Sequence, residues 1–301
     1  MPMNLAEFQK KTLTRRFEKA GLRSSTLRGR GFHVHCWVGL EDKPPLMLIH
    51  GFGGSAIWQW YPQVRWLSKY YKLIIPDLLC FGGSDCELGM LSLRKQGEAL
   101  MMVADQLGLE KFGVAGISYG GFVSYLMASR WPGRIEKVAL IACPATAITA
   151  RDFNQVLADF GVQSITEILL PTEPEMVRRL LQIAWARPPR VPSFILKQVH
   201  ALLFQDRVTQ KEKLINELTS YIDHIPSLPP SQSHETLIVW GEHDKIFPLY
   251  LGHRLKDYLG DRASIEVIQG AAHAPNHEGK KRFNDVVHQF FSGGAEATTG
   301  P

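Results

Sequence analysis

The sequence predicts an α/β fold in which a mostly parallel central sheet is flanked by helices. Short apolar runs at Leu46–Ile49, Lys137–Cys143 and Thr236–Gly241 are typical of strands buried on both faces of a parallel sheet. Residues 92–108 and 278–291 predict helices that cover such a sheet. With 301 residues, of which 45% are hydrophobic and 21% charged, the chain can bury the large core that this fold requires.

Residues 1–30 predict a basic N-terminal helix. This segment holds eight Lys or Arg residues against two Glu, whereas the whole chain carries a formal net charge of only +5. A solvated basic face is the simpler interpretation. In the alternative, the helix lies on a membrane with its basic residues towards phosphates and four apolar residues towards lipid, namely Leu5, Phe8, Leu13 and Phe17. Weak peripheral membrane contact through residues 1–20 therefore stays open.

Other features of the sequence bear on the cellular location of the protein and on its partners. No apolar run reaches the roughly 18 residues of a membrane-spanning helix, and the N-terminus lacks the apolar core of a secretion signal. The four cysteines show no C-x-x-C spacing: Cys36, Cys80, Cys86 and Cys143. We therefore expect a cytoplasmic protein. Because no nucleic-acid-binding motif accompanies the basic charge, we expect no nucleic-acid partner.

Gly31–Val38 alternates apolar and polar residues and predicts the first strand of the core. His33 and His35 share one face of it, but no third ligand lies nearby, so the sequence predicts no metal site. The strand Leu46–Ile49 ends in a glycine-rich loop at residues 50–54, whose N–H groups could face an anion. A phosphate-binding loop is disfavoured because the loop has neither a Gly-Lys-Ser/Thr ending nor the G-x-G-x-x-G pattern.

Tyr71–Asp77 predicts the next strand, and a glycine-rich turn follows it. Asp77 and Asp85 have the side chains that catalytic carboxylates need. Both, however, lie where a strand gives way to a turn or a helix, and aspartates at such positions commonly cap helices or stabilise turns. Structural roles are therefore the favoured interpretation.

The apolar run that begins at Phe112 ends in Gly116-Ile117-Ser118-Tyr119-Gly120, a G-x-S-x-G pattern between a predicted strand and a predicted helix. Strand and helix backbones nearly touch at such a turn, and the two glycines leave room for them. The pattern predicts that Ser118 lies on a strained corner with its hydroxyl directed into a pocket.

About ninety residues separate Lys137–Cys143 from Thr236–Gly241, far more than a direct strand-to-strand crossover needs. Residues 146–233 therefore predict a helical insertion, and its apolar content is high enough to roof a cavity. We expect it to form a lid. Three aromatic residues are candidates for the pocket lining, one near the glycine-rich loop and two in the insertion: Trp58, Trp185 and Phe194.

The insertion divides the predicted core into two segments. The core is predicted to comprise residues 31–145 and 234–291, on either side of the insertion. Residues 292–301 are small and polar, and we expect a disordered tail there.

Three reactive side chains lie at the carboxyl ends of successive predicted strands: Ser118, Asp244 and His273. The carboxyl ends of parallel strands meet at one edge of an open sheet, where ligands bind. A serine hydroxyl becomes a good nucleophile when an imidazole takes its proton, and a carboxylate orients that imidazole. His243 and His277 are alternative bases because they lie close by in sequence, but we favour His273.

Five segments carry a family resemblance: His50-Gly51-Phe52-Gly53; Pro76-Asp77 with Gly83-Ser84-Asp85; Gly116–Gly121; Gly241-x-x-Asp244 with Pro248; and His273-Ala274-Pro275 before Glu278. In this order and spacing they resemble a lid-bearing serine hydrolase of the α/β-hydrolase fold across roughly residues 30–291. The chain is similar in style to monoacylglycerol lipases and related small, plant-like esterases.

The resemblance implies a role for each matching residue. Ser118 would be the nucleophile, His273 the general base and then acid, and Asp244 the carboxylate that orients it. The backbone N–H groups of Phe52 and Tyr119 would form the oxyanion hole. Three loop residues would support that hole: His50, Gly51 and Gly53. The resemblance implies no cofactor.

Other reactions known on this scaffold are partly excluded. Epoxide hydrolases and haloalkane dehalogenases use an aspartate where this chain has Ser118, and hydroxynitrile lyases of this fold carry a lysine where it has Ala274. Carbon–carbon bond hydrolases and small-ligand receptors with vestigial hydrolase activity stay open. The predicted function is hydrolysis of a carboxylic ester, with a small apolar acyl or aryl substrate admitted under the lid. The sequence indicates no oligomeric state.

Overall fold

A computed structural model describes residues 4–223 and 234–293 of the chain. It confirms the predicted fold, a mostly parallel sheet with helices on both sides. The strands are β1 (Leu22–Gly29), β2 (Phe32–Gly39), β3 (Pro45–Ile49), β4 (Lys72–Pro76), β5 (Asp85–Cys86), β6 (Phe112–Ile117), β7 (Ile135–Ile141), β8 (Glu235–Gly241) and β9 (Ala263–Ile268). The helices are α1 (Leu5–Lys19), α2 (Ala56–Leu67), α3 (Leu93–Gln106), α4 (Tyr119–Arg130), α5 (Ala150–Phe160), α6 (Thr166–Leu169), α7 (Pro174–Ala184), α8 (Ser193–Leu203), α9 (Val208–Asp223), α10 (Leu249–Leu259), α11 (Pro275–Glu278) and α12 (Lys280–Phe291).

The sheet runs in the order β1-β2-β4-β3-β6-β7-β8-β9, with the short β5 paired to β2. The pairings from β4 through β9 are parallel, whereas β2 pairs antiparallel with β1, β4 and β5. Because β3, β6, β7, β8 and β9 are adjacent and parallel, the loops at their carboxyl ends lie side by side. This edge of the sheet is where an open α/β fold binds its ligands.

Strands β3 and β6 carry no polar side chain, as expected for strands that are buried on both faces. In β3, Leu46 and Leu48 belong to the core layer that includes residues of α1, α2 and α12. Met47 and Ile49 belong to the layer on the other face, which includes residues of α3, α4 and α10. The period-two alternation of a strand thus supplies both layers from one unbroken apolar run.

The prediction of one helix over residues 1–30 is wrong. Helix α1 ends at Lys19, the chain turns at Gly21 with a φ of +84°, and β1 follows. Arg30 and Gly31 then close a tight hairpin to β2. The strand escaped recognition because its alternation is weak, since only Leu22 among its residues is buried.

Helix α1 packs its apolar side against the domain. Leu13 and Phe17 are buried in the same core layer as residues of α2, whereas Phe8 is 59% exposed. The interpretation in which all four apolar residues of α1 face lipid is therefore wrong. Within the described ranges, no helix is both long enough and apolar enough to cross a bilayer.

Between β7 and β8 the described residues form five helices, α5 to α9. Asp152 fixes the first of them: its carboxylate forms a capping box with Thr149 and accepts hydrogen bonds from Tyr250 at 2.8 Å and Arg254 at 2.5 Å on α10. Burial alone would raise the pKa of Asp152, but the bonds from Arg254 and Thr149 outweigh it and hold the pKa well below its usual range. Residues 224–233 of the predicted insertion and residues 294–301 of the predicted tail lie outside the described residues.

Candidate active site

Ser118 lies at the sharp turn between β6 and α4. Its backbone has a φ of +52° and a ψ of −119°, a strained conformation for a residue with a side chain. The flanking glycines make the turn possible. A Cβ on Gly116 would lie 2.1 Å from the carbonyl oxygen of Gly120, and a Cβ on Gly120 would lie 2.5 Å from that of His50. The turn therefore requires the G-x-S-x-G pattern and places Ser118 at the carboxyl edge of the sheet.

The imidazole of His273 connects Ser118 to Asp244. Ser118 Oγ lies 2.9 Å from His273 Nε2, and His273 Nδ1 lies 2.8 Å from Asp244 Oδ2. A carboxylate can only accept a hydrogen bond, so Nδ1 carries the proton and Nε2 accepts from the serine hydroxyl. In this tautomer the imidazole can take the serine proton.

Asp244 is fixed by the loop that carries it. Its Oδ1 accepts hydrogen bonds from the backbone N–H groups of Ile246 at 2.9 Å and Phe247 at 3.0 Å. Its side chain has no exposed surface. The two backbone bonds direct Oδ2 towards His273, so the carboxylate is oriented before any substrate binds.

His273 lies on the loop between β9 and α11, and Glu278 braces this loop. The Glu278 carboxylate accepts a hydrogen bond from the N–H of Ala272, directly before His273, at 2.8 Å. It also accepts from the N–H groups of Ala186 at 3.0 Å and Arg187 at 3.1 Å, which follow α7. Glu278 thus joins the histidine loop to the helical insertion.

The glycine-rich loop after β3 passes close to Ser118. His50 is completely buried at its start, where its Nδ1–H donates to Gly51 O at 2.7 Å and its Nε2 accepts from Leu78 N–H at 2.9 Å. Burial lowers the pKa of His50, which agrees with the neutral ring that both bonds require. A Cβ on Gly51 would lie 3.4 Å from Ser118 Cβ. His50 therefore holds the loop in place and does not face the serine.

Phe52 and Tyr119 are the two residues whose backbone N–H groups the family resemblance assigns to an oxyanion hole. Neither N–H donates a hydrogen bond to another group in the part of the chain that the structure describes. Tyr119 is the first residue of α4, where N–H groups have no partner within the helix. The rings of the two residues are in edge-to-face contact at 5.8 Å. Both N–H groups are thus free to stabilise negative charge beside Ser118.

A narrow cavity of about 30 Å³ lies beside Ser118, and none of the side chains that line it is charged. The core contributes five lining residues besides the serine: Phe52, Tyr119, Phe122, Ile246 and Phe247. The insertion contributes Phe153, Val156, Ile165, Leu169, Leu218 and Thr219. The site is therefore apolar, and helices α5, α6 and α9 provide one side of it.

The structure does not place the three aromatic residues predicted to line the pocket in this cavity. Trp58 lines a separate cleft next to α1, and Trp185 packs edge-on against His277 at 5.4 Å. Phe194 is 55% exposed because the buried side of α8 is the one that carries Leu196. A position near the glycine-rich loop or within the insertion does not predict that a residue lines the cavity. What decides it is which side of each helix faces Ser118.

The sequence matches the family described as alpha/beta hydrolase fold over residues 44–280. This range covers strands β3 to β9, the insertion and the loops that carry Ser118, Asp244 and His273. The chain belongs to the α/β hydrolase fold family. The order Ser, Asp, His along the sequence is the one that catalytic triads of this fold use.

Several relatives of this α/β hydrolase are named as hydrolases or lipases. The chain is 27% identical over 260 residues to 2-hydroxymuconate semialdehyde hydrolase of Pseudomonas sp. (strain CF600), covering 82% of this chain and 87% of that protein. It is 25% identical over 277 residues to lipase 1 of Psychrobacter immobilis, covering 90% and 84%. Among solved structures, a putative lipase from Acinetobacter baumannii superposes with a TM-score of 0.82 at 24% identity, covering 94% of this chain and 95% of that one.

This α/β hydrolase contains a second Ser–His–Asp arrangement, which the sequence reasoning missed. His35 is on β2. Its Nε2 lies 2.9 Å from Oγ of Ser24 on β1, and its Nδ1 lies 2.8 Å from Oδ2 of Asp77. Asp77 also accepts from the N–H groups of Ala56 at 2.7 Å and Gly83 at 2.9 Å. Burial alone would raise the pKa of Asp77, but the bond and charge of His35 outweigh it, so the pKa is lowered. Asp77 therefore joins β2 to the start of α2 and to the turn after β4.

No group of three or more His, Cys, Asp or Glu side chains in the described residues is arranged to hold a metal ion. Of the pair with period-two spacing, His33 and His35, the second has both ring nitrogens engaged by Ser24 and Asp77.

Proposed function

We propose that the protein hydrolyses carboxylic esters whose acyl or aryl part is apolar. The observation that carries the proposal is the hydrogen-bonded triad of Ser118, His273 and Asp244 beside a cavity without charged side chains. A likeness to lipase 1 of Psychrobacter immobilis over most of both chains supports the same class of substrate.

In the proposed reaction, Ser118 Oγ attacks the ester carbonyl carbon while its proton passes to His273 Nε2, 2.9 Å away. Asp244 stabilises the resulting imidazolium through the bond to Nδ1. The negative charge that develops on the carbonyl oxygen is stabilised by the free N–H groups of Phe52 and Tyr119. The tetrahedral intermediate then collapses, and the alcohol leaves with the proton from His273.

The second half of the reaction releases the acyl group from Ser118. Water attacks the acyl carbon while His273 takes a proton from it, and the same two N–H groups stabilise the second oxyanion. Collapse returns the proton to Ser118 Oγ and releases the carboxylic acid. The sequence of steps consumes one water and needs no cofactor.

The insertion serves as a lid in this proposal. A cavity of about 30 Å³ has room for little more than one or two water molecules, far less than an acyl chain occupies. Phe153 on α5, Leu169 on α6 and Leu218 on α9 line it. In the proposal these helices move apart to admit a substrate, and their apolar side chains then contact the acyl chain.

Hydrolysis of a carbon–carbon bond is the second candidate. The relative from Pseudomonas sp. acts on 2-hydroxymuconate semialdehyde, and another, 22% identical, acts on 2-hydroxy-6-oxo-2,4-heptadienoate. A heptadienoate carries a carboxylate, and a buried carboxylate is best held by Arg or Lys. Neither Lys nor Arg lines the Ser118 cavity among the described residues. The lining therefore favours the ester.

The two candidates are separated by turnover of matched substrates. We expect hydrolysis of p-nitrophenyl acetate, butyrate and hexanoate, with kcat/KM rising by up to about fourfold for each methylene that the cavity buries. Ser118→Ala should abolish it. Turnover of 2-hydroxy-6-oxo-2,4-heptadienoate without ester turnover would establish the second candidate instead. If neither substrate is turned over and no ester acylates Ser118 in a single turnover, the ester proposal fails and a receptor on this fold becomes the favoured alternative.

A further inference from the structure

A second large cleft lies outside the site described so far, between the carboxyl end of α1, helix α2 and the start of α12. Its volume is about 830 Å³, and it shares no lining residue with the Ser118 cavity. The charged residues that line it are all cations: Arg16, Lys19, Arg65 and Lys280. They come from three separate helices, so no single run of basic sequence accounts for the cluster.

These four cations have no ionic partner in the part of the chain that the structure describes. All four are exposed, and none forms an ion pair with a carboxylate among the described residues. Some cations elsewhere on the surface are paired, as Arg94 is with Glu98 at 2.7 Å. Like charges that converge on a concave surface focus a positive potential into it and raise the local concentration of anions. The cleft is therefore suited to an anionic ligand.

The floor of the cleft is aromatic. Tyr61 lies edge-on to His277 at 5.2 Å, and His277 lies edge-on to Trp185 at 5.4 Å. The guanidinium of Arg16 stands 5.6 Å from the centre of the Tyr61 ring. Burial lowers the pKa of His277 to about 4, and its Nε2–H donates to Gln59 O at 3.0 Å. The floor is thus neutral at pH 7 and offers flat apolar surface, while the charge lies at the rim.

We propose that this cleft binds a ligand that carries phosphate groups on a flat or apolar body. The rim cations pair with phosphate oxygens, for which Arg offers paired donors and Lys a point charge. The body of the ligand lies on Trp185 and Tyr61. A free nucleoside diphosphate and a phospholipid headgroup both have this chemistry. They differ in that the headgroup is presented by a bilayer, whereas the nucleotide binds from solution.

The 301-residue chain can be tested with ADP, inorganic pyrophosphate and vesicles. We expect saturable binding of ADP or pyrophosphate by calorimetry at low salt, weakening as salt is raised because exposed charges are screened. The double variant R65E/K280E should weaken binding by at least about tenfold. The control K111E/K213E has the same change in net charge at exposed positions outside the cleft, and we expect its affinity to stay within about twofold of wild type.

The arms of the experiment identify the source. A free nucleotide is supported if ADP binds more tightly than pyrophosphate and Trp185→Ala removes that advantage. A headgroup is supported if phosphatidylglycerol vesicles co-sediment the protein while phosphatidylcholine vesicles do not, and R65E/K280E abolishes the difference. The proposal is overturned if no probe binds at low salt, or if R65E/K280E and K111E/K213E bind alike. Circular dichroism of each variant shows whether it is folded.

Discussion

Two triads in this protein, Ser118–His273–Asp244 and Ser24–His35–Asp77, have the same pattern of hydrogen bonds. In each, a serine oxygen lies 2.9 Å from an imidazole Nε2 and a carboxylate oxygen lies 2.8 Å from Nδ1. In each, the carboxylate also accepts from two backbone N–H groups. The hydrogen bonds alone therefore do not distinguish a catalytic triad from a structural one.

The two serines differ in their backbone. Ser118 stands at a strained turn with a φ of +52°, next to the first free N–H of α4. Ser24 lies within the regular strand β1, opposite Trp37 of β2. Space is not what Ser24 lacks, because it lines a cleft of about 500 Å³, whereas the cavity at Ser118 is about 30 Å³. What distinguishes Ser118 is a turn that presents its hydroxyl together with donors for an oxyanion.

The largest expected effect comes from removing the two hydroxyls separately. Ser118→Ala should lower kcat for an apolar p-nitrophenyl ester by about 10⁴-fold or more, whereas Ser24→Ala should leave it within about twofold of wild type. A fluorophosphonate probe followed by peptide mass spectrometry should label Ser118 alone. Label on Ser24 in the S118A variant would show that the strained turn is not required for a reactive serine.

Exchanging the two carboxylates for amides should separate catalysis from stability. Asp244→Asn should lower kcat by about 10³- to 10⁴-fold, because the imidazole loses the partner that sets its tautomer. Asp77→Asn should instead lower the free energy of unfolding by about 2–3 kcal/mol, since a buried acceptor of three hydrogen bonds is weakened. Urea unfolding and initial rates on both variants measure the two effects. Equal losses of activity would mean that both triads serve the reaction.

The contribution of Asp77 to stability should depend on pH. Its pKa is lower in the folded protein than in the unfolded chain, so its ionised form stabilises the fold above the usual pKa of an aspartate. That contribution is lost as the pH falls through the lowered pKa. The difference in unfolding free energy between wild type and D77N should therefore be constant from about pH 7 to about pH 5 and shrink below about pH 4. Urea titrations across this range test it, and a difference that grows on acidification would have the wrong sign.

The two triads also differ in how far the sequence could predict them. The Ser118 triad was found because each member lies in the loop at the carboxyl end of a strand of the parallel sheet, and such strands end at one edge. The Ser24 triad depends on pairing: β2 lies antiparallel to β4 with Cys36 opposite Pro76, and this register brings His35 beside Asp77. The local sequence does not predict that β2 pairs with β4. Strand β3 lies between them in the sequence, but in the sheet it lies on the far side of β4.

The same limit applies to the cavity wall and to the N-terminus. The apolar content of the insertion predicted that it could roof a cavity, but which side of each helix meets Ser118 depends on packing between distant segments. Phe194 was therefore named while Phe153 and Leu218 were not. Phe122 and Phe247 were not named either, although their positions in the sequence could have indicated them: Phe122 is one helical turn after Ser118, and Phe247 follows Asp244 by three residues. Strand β1 was missed because its sequence has almost no buried face.

The two histidines also differ in where they are held: His273 lies on a loop, whereas His35 lies within a strand. Substitution of Glu278, which braces that loop, tests whether this difference matters. Glu278→Gln replaces a carboxylate that accepts from Ala272, Ala186 and Arg187 by a group with one acceptor oxygen. We expect kcat/KM to fall by about three- to tenfold, because a loosened loop positions the imidazole less well. Glu266→Gln, which changes a surface ion pair with Arg282, is the matched control and should have no effect on rate. Equal rates for the two variants would show that the loop does not need Glu278.

Ser24→Ala should have the smallest effect on stability. Its hydroxyl is exposed, and water can replace its hydrogen bond to His35, so the unfolding free energy should change by less than about 1 kcal/mol. Asp77 keeps its three donors in this variant, since none of them belongs to Ser24. Thermal unfolding of S24A beside D77N measures the contrast. A loss in S24A as large as that in D77N would mean that the serine, and not only the carboxylate, holds β1 and β2 to the rest of the sheet.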